Sequence, residues 1–238
     1  MLERRPAIAV LASLRLFEGI DAAGLSRLMP TLRLRSHRVG EVVVHQGDPG
    51  DALHVVTSGA VRVLLLSPNG DDAILATLHA PAFLGEVALL DQGAQATTAV
   101  AVEPTEILIV PRATFELLVG EHATARDIVM AALAGEVRRL TARVEALHFL
   151  DVPGRVAEVL LGLLEDHGRR LEAPDGSPSG AVRIDGRLTQ GDLAGMVDSS
   201  RQSVNQALAE LGGEGIIRFE RDGIVILAPD RLALWARP

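Results

Sequence analysis

The run Arg201-Gln202-Ser203-Val204-Asn205-Gln206 carries the most legible chemistry in this chain. On a helix, Arg201, Gln202, Asn205 and Gln206 share an outward face, while Val204, Leu208 and Leu211 recur at the spacing of an inward one. One cation and three amides suit nucleic-acid base edges: arginine can be bidentate to guanine, and asparagine or glutamine to adenine. The hydroxyls of Ser199, Ser200 and Ser203, together with a helix N-terminus, can hold phosphates. Ser200 is the expected N-cap of this helix. Thr189, with Asp192 three residues on, is the expected cap of a preceding helix, and Asp198-Ser199 makes the turn between them. Residues 216–219 and 224–227 read as a hairpin turning at Arg221-Asp222-Gly223, which places Arg218 and Arg221 on a wing as phosphate cations, with Arg187 as a further one. The competing reading is a solvated face on an ordinary three-helix core. The second helix, its base-reading residue types and the following hairpin together favour double-stranded DNA.

Bulk charge argues the other way. The net charge is −8, and residues 151–238 hold 10 Arg against 14 acidic side chains. Attraction to DNA must therefore come from a local patch, and affinity should fall steeply with salt. All 23 basic residues are Arg, and there is no Cys, so disulfides, thiolate metal sites, iron–sulfur ligation and cysteine nucleophiles are excluded. No metal site is expected, and no nucleophile–base group or P-loop argues for an enzyme. With no apolar run near 18 residues and no leader pattern, the chain reads as soluble and cytoplasmic, with no membrane partner.

Upstream, two short helices are expected over 7–20 and 22–30, with Asp21 capping the second. From residue 32 the period changes to two. Short apolar segments at 32–35, 41–44, 53–57, 61–66, 73–78, 97–102 and 105–110, divided by turns rich in Gly, Pro and Asp, argue a small antiparallel roll. A short helix over 112–119 leads into a rod over about 123–148. There Met130, Leu133, Val137, Leu140, Val144 and Leu147 alternate at steps of three and four. β-Branched residues at the first heptad position and leucine at the second favour a parallel two-stranded seam, against the alternative of a long core helix. Asp151-Val152-Pro153 opens the next helix, over 154–166; residues 173–180 are a loop by composition and 182–184 a short strand.

The order of these parts resembles the cyclic-AMP receptor protein and fumarate–nitrate regulator family of bacterial transcription factors. The resemblance rests on Gln46-Gly47-Asp48, the segment from Ser58 to Val63, Phe83-Leu84-Gly85-Glu86-Val87-Ala88-Leu89-Leu90, the junction from Phe149 to Ala157, and the segments Thr189 to Ala194 and Ser200 to Asn205. It implies an α+β chain: an antiparallel jelly-roll-like β-roll of the cyclic-nucleotide-binding type (1–120), a long dimerisation helix (121–150) and a winged helix–turn–helix (151–238). It implies a homodimer, DNA and RNA polymerase as partners, a possible nucleotide effector, and a two-fold-symmetric operator. By resemblance the effector pocket comprises Gly85, Glu86, Val87, Ala88, Ala96, Thr97 and Thr98 of the roll with Leu140 and Thr141 of the rod.

Two departures bear on mechanism. Cyclic-nucleotide members place Arg, then Ser or Thr, about ten residues after Gly-Glu to neutralise the cyclic phosphate; here the matching residues are Ala96-Thr97-Thr98, and no Arg lies between Arg62 and Arg112. Ordinary cyclic AMP is therefore not the expected effector; another nucleotide such as cyclic di-GMP, or no ligand, is. Many members also carry Arg-Glu where Arg201-Gln202 stands, so base preference at that step should differ. Arg138, Arg139 and Arg143 read as solvated charges flanking the seam, and the seven scattered histidines as packed or surface residues. A nucleotide-binding module acting on a protein partner is the alternative function.

Overall fold

A computed structural model describes residues 15–66, 72–172, 178–185, 189–220 and 223–237. Its contacts divide the chain into two units, Met1–Arg138 and Arg139–Pro238.

In the first unit most of the helix expected over 7–20 lies outside the described residues; within them Arg15–Phe17 forms one 3-10 turn. The extended Asp21 caps α1 (Ala22–Leu28), its Oδ1 accepting the Gly24 N–H at 2.7 Å. Eight strands follow: β1 (Arg33–His37), β2 (Val42–Val44), β3 (Ala52–Ser58), β4 (Ala60–Leu66), β5 (Asp72–His79), β6 (Ala82–Leu84), β7 (Thr98–Ala101) and β8 (Thr105–Pro111). They form two antiparallel sheets, ordered β1-β8-β3-β6 and β2-β7-β4-β5. Val56, Leu84 and Ile107 from the first sheet meet Val44, Val61 and Ala99 from the second, which gives the roll its inner core. The other face of β3 and β8 presents Leu53, Val55, Leu108 and Val110 to helices carrying Leu25, Phe115 and Leu118. A sheet buried on both faces shows no alternation, which is why β3 reads as a continuous apolar run. β6 and the helix α2 (Glu86–Leu90) give no periodic signal in the sequence. Segments of three and five residues, the helix capped by a glycine backbone, leave no period to detect.

After α3 (Arg112–Glu121), the 27-residue helix α4 (Ala123–Phe149) runs across the boundary between the units. Its first turns belong to the roll: Ala125 and Val129 are buried in the helix-side core and Leu133 packs against it. Met130 and Val137 are both 63% exposed, and Val144 57%, with Leu140 and Leu147 also exposed. These five apolar side chains stay exposed in the single chain, Leu140 and Leu147 the least so.

The second unit begins with α5 (Val152–His167), which has Pro153 in its first turn and Asp151 Oδ1 accepting the Gly154 N–H at 2.9 Å. β9 (Gly168–Glu172) follows directly and pairs with β10 (Pro178–Asp185). Here the sequence reading is corrected: residues 178–180, expected in a loop, belong to β10, while 173–177 lie outside the described residues. Backbone pairing with a partner strand overrides loop-like composition. The helices α6 (Gln190–Val197) and α7 (Arg201–Gly213) come next, then the hairpin β11 (Ile217–Glu220) and β12 (Gly223–Ile226), and the sheet order is β11-β12-β10-β9. A last helix, α8 (Pro229–Trp235), was not anticipated; at seven residues it shows one buried apolar side chain, Leu232. Val156, Leu160, Leu193, Val204, Leu208, Leu211 and Ile226 share one core, so α7 is held rigidly from its inner face.

Candidate nucleic-acid interface and effector pocket

The outward face of α7 is built by its two caps. A reciprocal capping box opens α6: Thr189 Oγ1 accepts the Asp192 N–H at 3.1 Å, and Asp192 Oδ2 accepts the Thr189 N–H at 3.0 Å. The helix ends at Asp198, which takes a left-handed conformation (φ 51°, ψ 58°) that aspartate tolerates better than most side chains. Ser200 then caps α7, its Oγ accepting the Ser203 N–H at 3.1 Å while lying 2.9 Å from Ser203 Oγ. Burial of Val204, Ala207, Leu208 and Leu211 leaves Arg201, Gln202, Asn205 and Gln206 exposed, and Ser199 half-buried in the turn. Thr189 is exposed at the start of α6. The Ser200 and Ser203 hydroxyls are thus already engaged, the first in capping α7, and their phosphate role reduces to the spare capacity of a hydroxyl already bonded.

On the wing, Glu220 lies between Arg183 Nη1 at 2.7 Å and Arg218 Nη2 at 2.8 Å. The Arg218 pair is solvent-exposed and worth about 0–1 kcal/mol, so exchanging Glu220 for a phosphate costs little. Arg187 and Arg221 lie outside the described residues.

Two arginines outside the recognition set act on the same turn. Arg155 donates from Nε to the Val197 carbonyl and from Nη1 to the Leu150 carbonyl, each at 2.9 Å, which ties the end of α4 to the end of α6. The sequence offered Arg155 only as part of a junction motif. Arg143, read as a solvated flanking charge, is half-buried. Burial pulls its pKa down, Asp198 partly offsets that, and Arg139 adds to the lowering.

In the roll, Gly85 precedes α2 at φ 92°, where a Cβ would stand 3.0 Å from the Ala52 carbonyl oxygen and 3.2 Å from Gln95 Nε2. Among the described residues Glu86 Oε2 is buried without a hydrogen-bond partner. Burial pushes the Glu86 pKa up, a hydrogen bond from its own backbone opposes that, and Glu136 adds to the rise. Val87 is exposed and Ala88 buried. Ala96 is exposed, Thr97 half-buried, and Thr98 buried with Oγ1 accepting the Gln46 N–H at 2.9 Å. The neighbouring cation Arg112 is committed to the backbone, donating to the carbonyls of Leu89 (2.7 Å), Ala88 (3.2 Å) and Gly50. Leu140 and Thr141, both exposed, belong to the second unit. Among the described residues no group of His, Asp and Glu is placed to hold a metal, and no helix is long and apolar enough to cross a membrane.

A carboxyl whose pKa is raised in the folded state opposes folding when ionised. Stability should therefore fall as pH rises from the unfolded value of 4.5 through the higher folded one. Glu86→Gln, which removes the charge and keeps the shape, is expected to raise the melting temperature at pH 7 by a few degrees and to flatten this pH dependence. Thermal denaturation of both proteins from pH 4 to pH 8 checks it.

Set beside known proteins, the chain has matches in both units. The model of the cyclic nucleotide-binding domain family matches residues 34–122, and that of the Crp-like helix-turn-helix domain matches residues 154–235. The chain is 29% identical over 228 residues to the CRP-like cAMP-activated global transcriptional regulator of Mycobacterium tuberculosis, covering 96% of this chain and 99% of the relative. It is 30% identical over 204 residues to the cyclic AMP receptor protein of Thermus thermophilus, covering 86% and 88%. The structure of FixK2 from Bradyrhizobium japonicum superposes with a TM-score of 0.71 at 22% identity, over 87% of this chain and 98% of that one. The two family matches and the relatives together define the class of a DNA-binding transcription regulator. The chain belongs to the cyclic-AMP receptor protein/fumarate–nitrate regulator (CRP/FNR) family.

Proposed function

We propose that this regulator works as a parallel homodimer joined along α4, reading a two-fold-symmetric operator with Arg201, Gln202, Asn205 and Gln206 in successive major grooves about 34 Å apart. The observation that carries the reading is the exposed α7 face, with one cation and three amides over a helix whose inner side is fixed in the core. Thr189, Ser199, Ser200 and Ser203 line the phosphate approach, and Arg218 with Arg221 supplies wing cations. The exposed row Met130, Val137, Leu140, Val144 and Leu147, with Leu133, is the dimer seam. RNA polymerase is the downstream partner. Selection of duplexes from a random-sequence pool tests the operator: an inverted repeat with half-sites one helical turn apart is expected, and a single unrepeated half-site would contradict it.

The effector is held at the Gly85–Glu86 turn and the Ala96–Thr98 segment of the roll, and is a nucleotide other than ordinary cyclic AMP, or none is needed. The relatives are named for cyclic AMP; this chain carries Ala96 where such members carry a phosphate-neutralising arginine, and Arg112 is spent on the backbone. Loss of one charge-assisted phosphate contact costs on the order of 2–5 kcal/mol, or roughly thirtyfold to several-thousandfold in affinity. Ala96→Arg is accordingly expected to confer a cyclic-AMP-dependent rise in melting temperature that the wild type lacks. A thermal-shift screen with cyclic AMP, cyclic GMP, cyclic di-GMP and 2-oxoglutarate on both proteins checks this. A wild-type shift with cyclic AMP equal to that of the variant defeats the argument from Ala96.

A further inference from the structure

Beyond its chain neighbours and its own helix backbone, the three heavy atoms nearest to where a Cβ on Gly191 would stand all belong to the Arg201 guanidinium: Nε and Nη2 at 3.2 Å and Cζ at 3.4 Å. Gly191 is the second residue of α6, inside a turn already held by the Thr189–Asp192 capping box. Arg201 is the first residue of α7. The bare backbone of one helix thus forms a seat for the guanidinium that opens the next, and the seat exists because position 191 has no side chain. Nothing in the local fold explains glycine there. Its φ lies in the ordinary helical range, and alanine is the better helix former at such a position. Among the described residues the Arg201 side chain makes no hydrogen bond or ion pair, so all five of its guanidinium N–H donors remain available.

We infer that Gly191 is a positioning residue for base recognition: its bare backbone lets the Arg201 guanidinium lie against α6, in the orientation from which it reaches a guanine edge. The inference rests on the reading of Arg201 as a base contact and adds a second residue to that contact. A free arginine side chain samples many rotamers, and ordering it on binding is costly. A planar seat restricts those rotamers beforehand, and bidentate contact with guanine O6 and N7 demands such control of the guanidinium plane. A methyl group at 191 needs a few tenths of an ångström that the flexible arginine tip yields at little cost in stability, so the displacement falls on orientation. A larger side chain removes the seat altogether.

The test uses the full-length protein and the duplex that the wild type selects from a random pool, beside the same duplex with the guanine of each half-site changed to adenine. Discrimination between the two is measured by fluorescence anisotropy for wild type, Arg201→Ala, Gly191→Ala and Gly191→Leu, with a melting temperature for each. Discrimination is expected to fall about three- to tenfold in Gly191→Ala and to approach the Arg201→Ala loss in Gly191→Leu, while the melting temperature of Gly191→Ala holds or rises. The double variant Gly191→Leu with Arg201→Ala is expected to lose no more than Arg201→Ala alone, because both act through one contact. If Arg201→Ala keeps full discrimination, the base-contact reading itself fails and this inference with it. If Arg201→Ala loses discrimination while both glycine variants keep it, the DNA reading stands and the role of Gly191 is overturned. A melting temperature that falls in step with discrimination in Gly191→Ala also overturns it, because damage to α6 then accounts for the loss.

Discussion

Replacing Arg201 and Gln202 together by alanine is expected to abolish sequence-specific DNA binding while leaving the protein folded. Each bidentate base contact is worth about 1–3 kcal/mol, so two contacts per half-site amount to roughly 2–6 kcal/mol, or about thirtyfold to more than ten-thousandfold in affinity. Symmetric half-sites would deepen the loss further. The fold should not register the change, because both side chains are exposed and the caps and core of α7 rest on Ser200, Val204, Ala207, Leu208 and Leu211. Anisotropy titrations against the selected duplex, at two salt concentrations, separate this loss from a general electrostatic one. Binding to unrelated duplexes should survive, since it depends on phosphate contacts. Specific affinity within twofold of wild type would rule out the α7 face as the reading surface and favour the alternative in which the chain acts on a protein partner.

Introducing Val137→Asp with Val144→Asp is expected to convert the proposed dimer to monomers near 25 kDa without unfolding either unit. Both valines are largely exposed in the single chain, so neither core depends on them. Burying one valine side chain contributes about 1.5–3 kcal/mol, and the substitution at each point also forces two carboxylates toward one another across the seam. Four lost valines and four added charges per dimer exceed what a seam of three heptads can offset. Sedimentation velocity at micromolar concentration reads the mass, and far-ultraviolet circular dichroism checks the fold. The proposed two-fold operator needs two heads at fixed spacing, so affinity for the selected duplex should fall with the mass. A variant that still sediments as a dimer would locate the interface elsewhere on the molecule.

Most of the fold was legible in the chain because its signals are local. Turn residues at 46–51 and 58–59 bound real strands, Asp21, Asp151, Thr189 and Ser200 cap the helices they precede, and each cap closes over at most three residues. Where the signal is not local the reading thinned. β9 and the first residues of β10 owe their extended form to each other, α8 to packing of Leu232 and Trp235 on a core assembled from earlier elements. The heptad row reads as uniform in sequence, yet Leu133 packs on the helix-side core of the roll while the next heptad positions stay exposed. A period of 3.5 residues reports that a face is apolar, without saying what covers each turn of it.

The candidate site divides along the same line. Residue type alone determined that the outward face of α7 carries one cation and three amides, that Ala96 carries no charge, and that cysteine chemistry is closed to this chain. These follow from side-chain composition at positions set by helical spacing. Only the tertiary structure decided that Arg155 joins the Leu150 and Val197 carbonyls, that Arg112 is bound to the backbone of α2, and that Arg201 lies on Gly191. Apart from the Arg155–Leu150 contact, five residues long, the partners in these stand ten or more residues apart. No local propensity encodes such a distance; it is fixed by which apolar faces the core brings together.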